Sequence, residues 1–403
     1  MGVVMTRRAV LCVFGTRPEA IKMAPVVRKL MEFPREFRTD VLVSAQHREM
    51  LDQVLSLFRI RPRWDLNLMK SGQTLTEISA GVLTGLAPIL RKRRPDLVLV
   101  QGDTTTTFAA ATAAFYHGIP VGHVEAGLRS GDPAHPFPEE LNRRMTDDLS
   151  SLHFAPTLSA KRNLLRENIR PGGIFVTGNT GIDALKMGLS EFRPSGRGGK
   201  ARFSFAGSGH ARALKSVAEK LGNRPFILLT AHRRENFGAP LRELFGAVKD
   251  VAKRREDVHF VYPVHPNPNV TGAAREILGG VSNVHLLPPL DYADFIPFLR
   301  EALFVVTDSG GLQEEAPSLG KPVLVLRKVT ERPEAVDAGT VRLVGTEGRS
   351  LHRWILALLD DRRLFQKMAN AVNPYGDGLA AERTVQAIRF HFNFRRGRPK
   401  DFA

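Results

Sequence analysis

Cysteine is nearly missing from this sequence. A single one, Cys12, stands among 403 residues, which excludes an internal disulfide framework and any zinc site built on cysteine clusters. That usage suits a reducing cytoplasm. Cys12 lies in an apolar run, residues 9–14, where a small buried strand residue is the expected reading. Long apolar runs are missing too: no stretch approaches the ~18 residues that a membrane helix requires. Arg7 and Arg8 ahead of an apolar stretch imitate the start of a secretion signal. The stretch is short and meets Gly15-Thr16-Arg17-Pro18 without a small-residue cleavage site, so it reads as a first strand. Acidic charge is in deficit, with 41 Asp and Glu against 58 Lys and Arg and a formal charge of +17. Such a surface attracts anions of any kind. The basic tail Arg395-Arg396-Gly397-Arg398-Pro399-Lys400 has no interleaved aromatics and no nucleic-acid motif, so nucleic acid is not the expected partner. His-x-x-x-His pairs, carboxylate cages and cysteine pairs are absent, so no metal site is expected.

What is present is ordinary globular material, 43% hydrophobic and 25% charged, in a length that suits two domains. Short apolar runs rich in β-branched residues recur at 9–14, 41–45, 97–101, 119–124 and 174–177, and again at 226–230, 258–264, 284–287, 303–307, 322–326 and 341–345. Runs of this kind suit parallel strands covered on both faces. Helical spacing fills the intervals, as in residues 73–91 and 242–253, and repeated strand–helix–strand units predict a doubly wound α/β fold. Residues 192–210, rich in Gly, Ser and Arg, read as a break between similar halves. Two Rossmann-like domains facing a cleft are therefore expected, with ligands at the carboxyl ends of the strands.

The residues just after each run carry the chemistry. Gly15 opens a helix whose start favours anions, with Arg17 and Lys22 adding charge, although neither a P-loop nor a dinucleotide turn is spelled. Asp103 suits a helix cap through its side chain, and it also lies at the sheet edge where chemistry occurs. Glu125 directly follows a strand, beside Gly127, an awkward place for a purely structural carboxylate. Pro138, Glu139 and Glu140 suit the first turn of a helix, where Glu139 and Arg143, four apart, can pair. In the second half His232 and His265 close strands, His232 beside Arg233 and Arg234. The strongest local signal is Ser309-Gly310-Gly311 between a strand and a helix, because two glycines let backbone N–H groups approach a phosphate.

Eight strings, among them GTRPEAIKMAPV, QGDTTTTFAAATAAF, HVEAGLRSGD, PFPEELNRR, TAHRRENFG and TDSGGLQEEAPSLGKPVLVLRKVTERPEA, stand in order over roughly residues 12 to 340. Together they resemble the non-hydrolysing UDP-N-acetylglucosamine 2-epimerases. The resemblance implies the glycosyltransferase-B architecture, with residues 1–180 plus 379–403 in one domain and 181–378 in the other, the final helix returning to the first. It implies a cytoplasmic homodimer that interconverts UDP-GlcNAc and UDP-ManNAc, for surface polysaccharide synthesis, without a dissociable cofactor. On the family's pattern the catalytic groups fall on Asp103, Glu125, Glu139, Arg143 and His232. The UDP contacts fall on Arg17, Lys22, Phe295, Ser309, Gly310, Gly311, Glu315 and Arg332. An activating second UDP-GlcNAc would involve Gln46, Glu140, Arg233 and His265, but Glu49 and Gly72 depart from the glutamine and arginine of that pattern. The alternatives are a hydrolysing epimerase or another glycosyltransferase-B enzyme and, remotely, a basic nucleic-acid-binding protein supported by charge alone.

Overall fold

The structure, a computed structural model, describes residues 6–44, 48–70, 72–191, 202–203, 205, 210–330 and 332–402. The chain forms two compact units, Met1–Met187 with Tyr375–Ala403, and Gly188–Pro374. The predicted break at 192–210 lies almost wholly outside the described residues.

The first unit holds strands β1 (Arg8–Phe14), β2 (Phe37–Val43), β3 (Trp64–Asp65), β4 (Leu97–Gln101), β5 (Val121–Val124), β6 (Leu152–Ala155) and β7 (Ile174–Val176). They form one parallel sheet in the order β3-β2-β1-β4-β5-β6-β7. The second unit holds β8 (Phe226–Thr230), β9 (His259–Pro263), β10 (Val284–Leu287), β11 (Val305–Thr307), β12 (Val323–Val325) and β13 (Val341–Leu343). Its parallel sheet runs β10-β9-β8-β11-β12-β13. Both orders reverse direction next to the unit's first strand, which is the doubly wound pattern, and each reversal opens a crevice at the carboxyl ends of two neighbouring strands. Those strands are β1 and β4 in one unit, and β8 and β11 in the other.

All eleven expected runs fall on strands; β3 and β6 were not expected. β3 is two residues at a sheet edge. β6, Leu-His-Phe-Ala, is broken in hydropathy by His153, a ring buried in the structure whose Nε2 donates to the Asp147 carbonyl at 2.8 Å. The sheet interior explains the legibility of the rest. Leu11 and Val13 of β1 and Val98 and Val100 of β4 pack with Val82 and Leu86 of the helix Leu75–Arg93 and with Ala109 and Ala110 of the helix Thr105–Tyr116. Each fully buried aliphatic side chain of this kind stabilises the fold by about 1.5–3 kcal/mol. Cys12 is one of these buried residues, and burial, with the Asp40 charge, pushes its thiol up, so it stays protonated and inert.

The helix Ala380–His391 packs on the helix Arg17–Met31. Arg389 grips Glu36 with both arms of its guanidinium, at 2.7 and 2.8 Å, while Phe394 meets Phe37 edge-on at 5.5 Å. The start of this helix is capped from outside by Asp183, whose two oxygens accept from the backbone N–H of Ala380 and Ala381 at 3.2 and 2.8 Å. Burial pushes the Asp183 carboxyl up to about 6 against those lowering hydrogen bonds. Between about pH 4 and pH 6 the folded chain thus keeps a proton that the unfolded chain has released, and stability falls as pH rises through that window, by up to about 3 kcal/mol. Urea unfolding from pH 4 to 7 should show this slope, and Asp183→Asn should flatten it. An unaltered slope in the variant would move its origin elsewhere.

Candidate functional site

In the first unit the crevice begins at Gly15, directly after β1. A Cβ there would meet Ser44 Oγ at 2.0 Å and Thr106 Oγ1 at 2.7 Å, so any larger residue would have to displace both hydroxyls. Thr16 then caps the helix Arg17–Met31 in a reciprocal box with Glu19. Glu19 does more than close that box. Its buried carboxylate accepts from Gly15 N (3.1 Å), Thr16 N (2.7 Å), Thr104 Oγ1 (2.9 Å) and Thr107 Oγ1 (3.0 Å), joining the turn after β1 to the turn after β4.

The turn after β4 does not use Asp103 as a helix cap. Thr104, not Asp103, caps the next helix by accepting from Thr107 N at 3.1 Å. The Asp103 carboxylate is thereby released and lies 2.7 Å from Arg143 Nη2. Arg143 sits in the helix Glu139–Leu149 and shares its fork between Asp103 and Glu140, the latter at 3.2 Å. The pairing expected between Arg143 and Glu139 is therefore replaced, because both arms of the guanidinium have other acceptors. Glu139 Oε2 is buried with no hydrogen-bond partner among the described residues. Glu140 is 0% exposed. Its oxygens take Arg143, Arg144 and the backbone N–H of Ser130 and Gly131, which makes it a brace for the loop ahead of its helix.

Glu125 follows β5 with φ +71°, in the left-handed region that a non-glycine residue occupies at a cost of order 1–3 kcal/mol. Two donors hold it there. Lys22 Nζ lies 2.6 and 2.7 Å from its two oxygens, and Gln101 Nε2 donates to Oε2. Lys22, which the resemblance assigns to the nucleotide, thus has its ammonium on a carboxylate. Arg17 is half-buried at the start of the same helix. Gln46 lies outside the described residues.

Gly127, two residues on, has φ +83°, and an added Cβ would lie 2.4 Å from the Ala160 carbonyl oxygen. Backbone strain and a clash with main chain combine, so Gly127→Ala is expected to destabilise the fold by about 3 kcal/mol or more. Calorimetric melting within a degree of the unaltered protein would contradict the close packing of this turn.

In the second unit the crevice between β8 and β11 is organised by Asp308, directly after β11. Its Oδ2 accepts from His232 N (2.7 Å), Arg233 N (2.8 Å) and Asn236 Nδ2 (3.2 Å). His232 Nδ1 is 2.9 Å from Oδ1. Burial raises the Asp308 carboxyl, but His232 and the two backbone N–H groups outweigh it and hold the group below the usual carboxylate range. The His265 ring stacks on His232 with centroids 5.6 Å apart, and its Nδ1 accepts from Asn267 N at 3.2 Å. Ser309 and Gly310 continue from Asp308 into the helix Gly310–Glu315, only six residues long before it tightens into the 3-10 turn Ala316–Leu319. Arg332 lies against Gly310, where a Cβ would come within 2.8 Å of its guanidinium, and its Nε donates to Glu314 Oε1 at 2.6 Å. Thr330 fastens the same loop by donating to Gln313 Oε1 at 2.7 Å. Gly311 and Glu315 lie on the short helix, and Phe295 is half-buried on the helix Tyr292–Glu301.

Each unit therefore gathers its own share of the candidate residues beyond the carboxyl ends of its strands, after β1, β4 and β5 in the first unit and after β8, β9, β11 and β12 in the second, with Phe295 on the helix after β10. Sequence reasoning missed the carboxylates that hold these turns: Glu19, Asp147 and Asp308. Glu19 and Asp308 lie inside quoted strings, and Thr16-x-x-Glu19 spells a capping box. Asp147 had only its place four residues after Arg143 on one helix face to mark it.

Among the described residues no group of three or more His, Cys, Asp or Glu is placed to hold a metal ion, and no helix is long and apolar enough to cross a membrane. The sequence profile of a family described as UDP-N-acetylglucosamine 2-epimerase matches residues 29–389. A protein of Bacillus subtilis (strain 168) named UDP-N-acetylglucosamine 2-epimerase is 51% identical over 398 residues, 99% of each chain. Its namesake in Escherichia coli (strain K12) is 52% identical over 387 residues, 94% of this chain and 98% of its own. The UDP-GlcNAc 2-epimerase of Neisseria meningitidis, solved bound to UDP-GlcNAc, is 47% identical and superposes with a TM-score of 0.84, covering 94% of this chain and 99% of that one. By the extent of these matches, over two doubly wound sheets with strained and braced turns after their strands, the chain belongs to the UDP-N-acetylglucosamine 2-epimerase family.

Proposed function

We propose that this chain inverts C2 of UDP-N-acetylglucosamine reversibly, giving UDP-N-acetylmannosamine by elimination and re-addition of UDP, without releasing free sugar. The observation that carries the reading is Glu125, held at φ +71° beside Lys22 and Gln101 at the end of β5. Backbone strain of this kind persists where the surroundings over-determine it and clusters at reactive sites.

The chemistry calls for such groups. The C2–H of the sugar is not next to a carbonyl, so its direct removal is prohibitive. If the C1–O bond breaks first, UDP leaves with the bonding pair and C1 gains cationic character, which acidifies C2–H. A carboxylate then takes that proton and 2-acetamidoglucal forms. A carboxylic acid returns a proton to C2 from the other face while the UDP oxygen re-forms its bond to C1. In this reading Asp103, Glu125 and Glu139 are the acid–base groups, each worth about 10²–10⁴-fold. Asp103 and Glu125 each have a cation, Arg143 and Lys22 respectively, while Glu139 has a buried oxygen without a partner among the described residues. His232, Arg17, Arg332, Phe295, Glu315 and the Ser309-Gly310-Gly311 turn are assigned to the nucleotide, where fixed donors stabilise the departing diphosphate. Glu140, Arg233 and His265 are the described candidates for an activating second nucleotide. The same reading makes the protein a cytoplasmic homodimer that needs no dissociable cofactor and supplies surface polysaccharide synthesis.

Proton NMR of the purified protein with UDP-GlcNAc in D₂O tests the core of this. UDP-ManNAc should appear, with deuterium entering C2 and no free sugar accumulating. Stoichiometric UDP and free ManNAc would replace this reading with a hydrolysing epimerase, and unlabelled UDP-GlcNAc recovered intact would remove it. Light scattering reads the oligomer directly.

A further inference from the structure

Behind the three acidic segments lies a charged cluster that the reaction scheme leaves unused. Asp147 and His123 are both buried, with side chains 1% and 0% exposed. Asp147 Oδ1 is 2.6 Å from His123 Nδ1. Asp147 Oδ2 accepts from Arg129 Nη2 at 2.7 Å and from Gly127 N at 3.2 Å. Arg129 is fixed in turn by Glu167, at 2.8 Å from Nε. The other ring nitrogen of His123, Nε2, is 2.7 Å from the Gly102 carbonyl oxygen. Burial alone would raise the Asp147 carboxyl, yet the charges of His123 and Arg129 hold it below its usual range, so it stays ionised. A carbonyl oxygen can only accept, so His123 Nε2 is the donor to Gly102.

The partners of this cluster are informative. Gly102 has φ +74° and its own N–H donates to Val124 O at 3.0 Å. The His123 ring therefore pins the peptide plane that leads directly into Asp103. His123 itself is on β5, two residues before Glu125. Asp147 is on the helix that carries Glu139 and Arg143. One imidazole–carboxylate pair thus ties together the ends of β4 and β5 and the helix Glu139–Leu149, the three segments bearing Asp103, Glu125 and Glu139. A hydrophobic filler of the same volume would hold the elements together but would not orient the Gly102 carbonyl.

We propose that His123, clamped by Asp147 and Arg129, is a positioning residue for the epimerisation, and that it sets Asp103 against the other two carboxylates through its hydrogen bond to the Gly102 carbonyl. The inference rests on the epimerase reading for its catalytic consequence, though not for its geometry.

Two substitutions separate the ring's two hydrogen bonds. His123→Gln places an amide N–H near the position of Nε2 and keeps the donor to Gly102. His123→Asn places one near Nδ1 and keeps only the donor to Asp147. Both lose the ring, so a merely structural role predicts equal damage. Positioning through Gly102 predicts that His123→Asn lowers kcat by about 100-fold, as misplacement of a reacting group by about 1 Å does, while KM and the affinity for UDP change by less than about threefold. His123→Gln should recover at least about tenfold of that kcat loss. Equal kcat in the two variants, or unaltered kcat in His123→Asn, overturns the proposal. Amide hydrogen exchange over residues 101–106, which needs no turnover, should be faster in His123→Asn than in His123→Gln, and equal rates again overturn it. If neither His123 variant folds, Asp147→Asn, which keeps the volume and removes the charge, must lower kcat at least about tenfold, and full activity in it refutes the clamp. Inactivity of the unaltered protein on UDP-GlcNAc would count against the epimerase reading alone, because the exchange comparison still reports on the clamp.

Discussion

Glu125→Gln is expected to lower kcat by about 10²–10⁴-fold, the usual contribution of a positioned acid–base group, with KM little altered. Gln101 Nε2 and Lys22 Nζ both point donors at the carboxylate oxygens. A glutamine there offers one acceptor oxygen and turns its own NH₂ toward a donor, so the group loses both its basicity and half of its anchoring. The left-handed backbone at this position is unaffected by the change, and the variant should therefore fold. Steady-state turnover and deuterium entry at C2 measure the effect together. Retention of more than about a tenth of the rate would remove Glu125 from the proton-transfer set. Loss of epimer formation with deuterium entry intact would instead assign Glu125 to the face on which the proton returns.

Asp308→Asn should lower kcat/KM for UDP-GlcNAc by about 10²–10³-fold, because an orienting carboxylate fixes which nitrogen of its histidine carries the proton. In this chain one oxygen of Asp308 gathers the N–H groups of His232 and Arg233 and the Asn236 amide, while the other faces His232 Nδ1. An asparagine can keep the first set through its carbonyl oxygen. Its NH₂ then faces Nδ1, which must become an acceptor, and the proton moves to Nε2. UDP affinity measured by calorimetry should weaken with kcat/KM if His232 contacts the diphosphate. Unchanged binding and turnover would mean that Asp308 only holds the turn after β8.

The sequence exposed the sheets more readily than the sites. Strands such as Leu97–Gln101 and Phe226–Thr230 are legible because both faces of a parallel sheet are buried and the run is apolar up to its last residue. β6 hides behind His153, whose burial is compensated by a carbonyl that no local pattern reveals. The candidate carboxylates were legible by position, after strands. Their partners were not: Lys22 and Glu125 are 103 residues apart, and Arg143 and Asp103 are 40 apart. The capping function of Asp103 was a fair local inference that failed because Thr104, one residue later, has the better geometry for the helix start. The strain at Glu125 has no signature at all in residue type, since glutamate is not a residue that favours positive φ.

The return of residues 375–403 to the first unit also orders events during synthesis. The first unit's sheet is complete once residue 176 has been made, but Phe37 and Glu36 wait for Phe394 and Arg389, which emerge only after the whole of Gly188–Pro374. Domains on a growing chain usually finish from the amino end. Here the middle of the polypeptide can reach its final form while the leading part is still missing its last helix. At ~5–20 residues per second, the roughly 200 residues between β7 and that helix keep the unfinished face exposed for about 10–40 seconds in every molecule made.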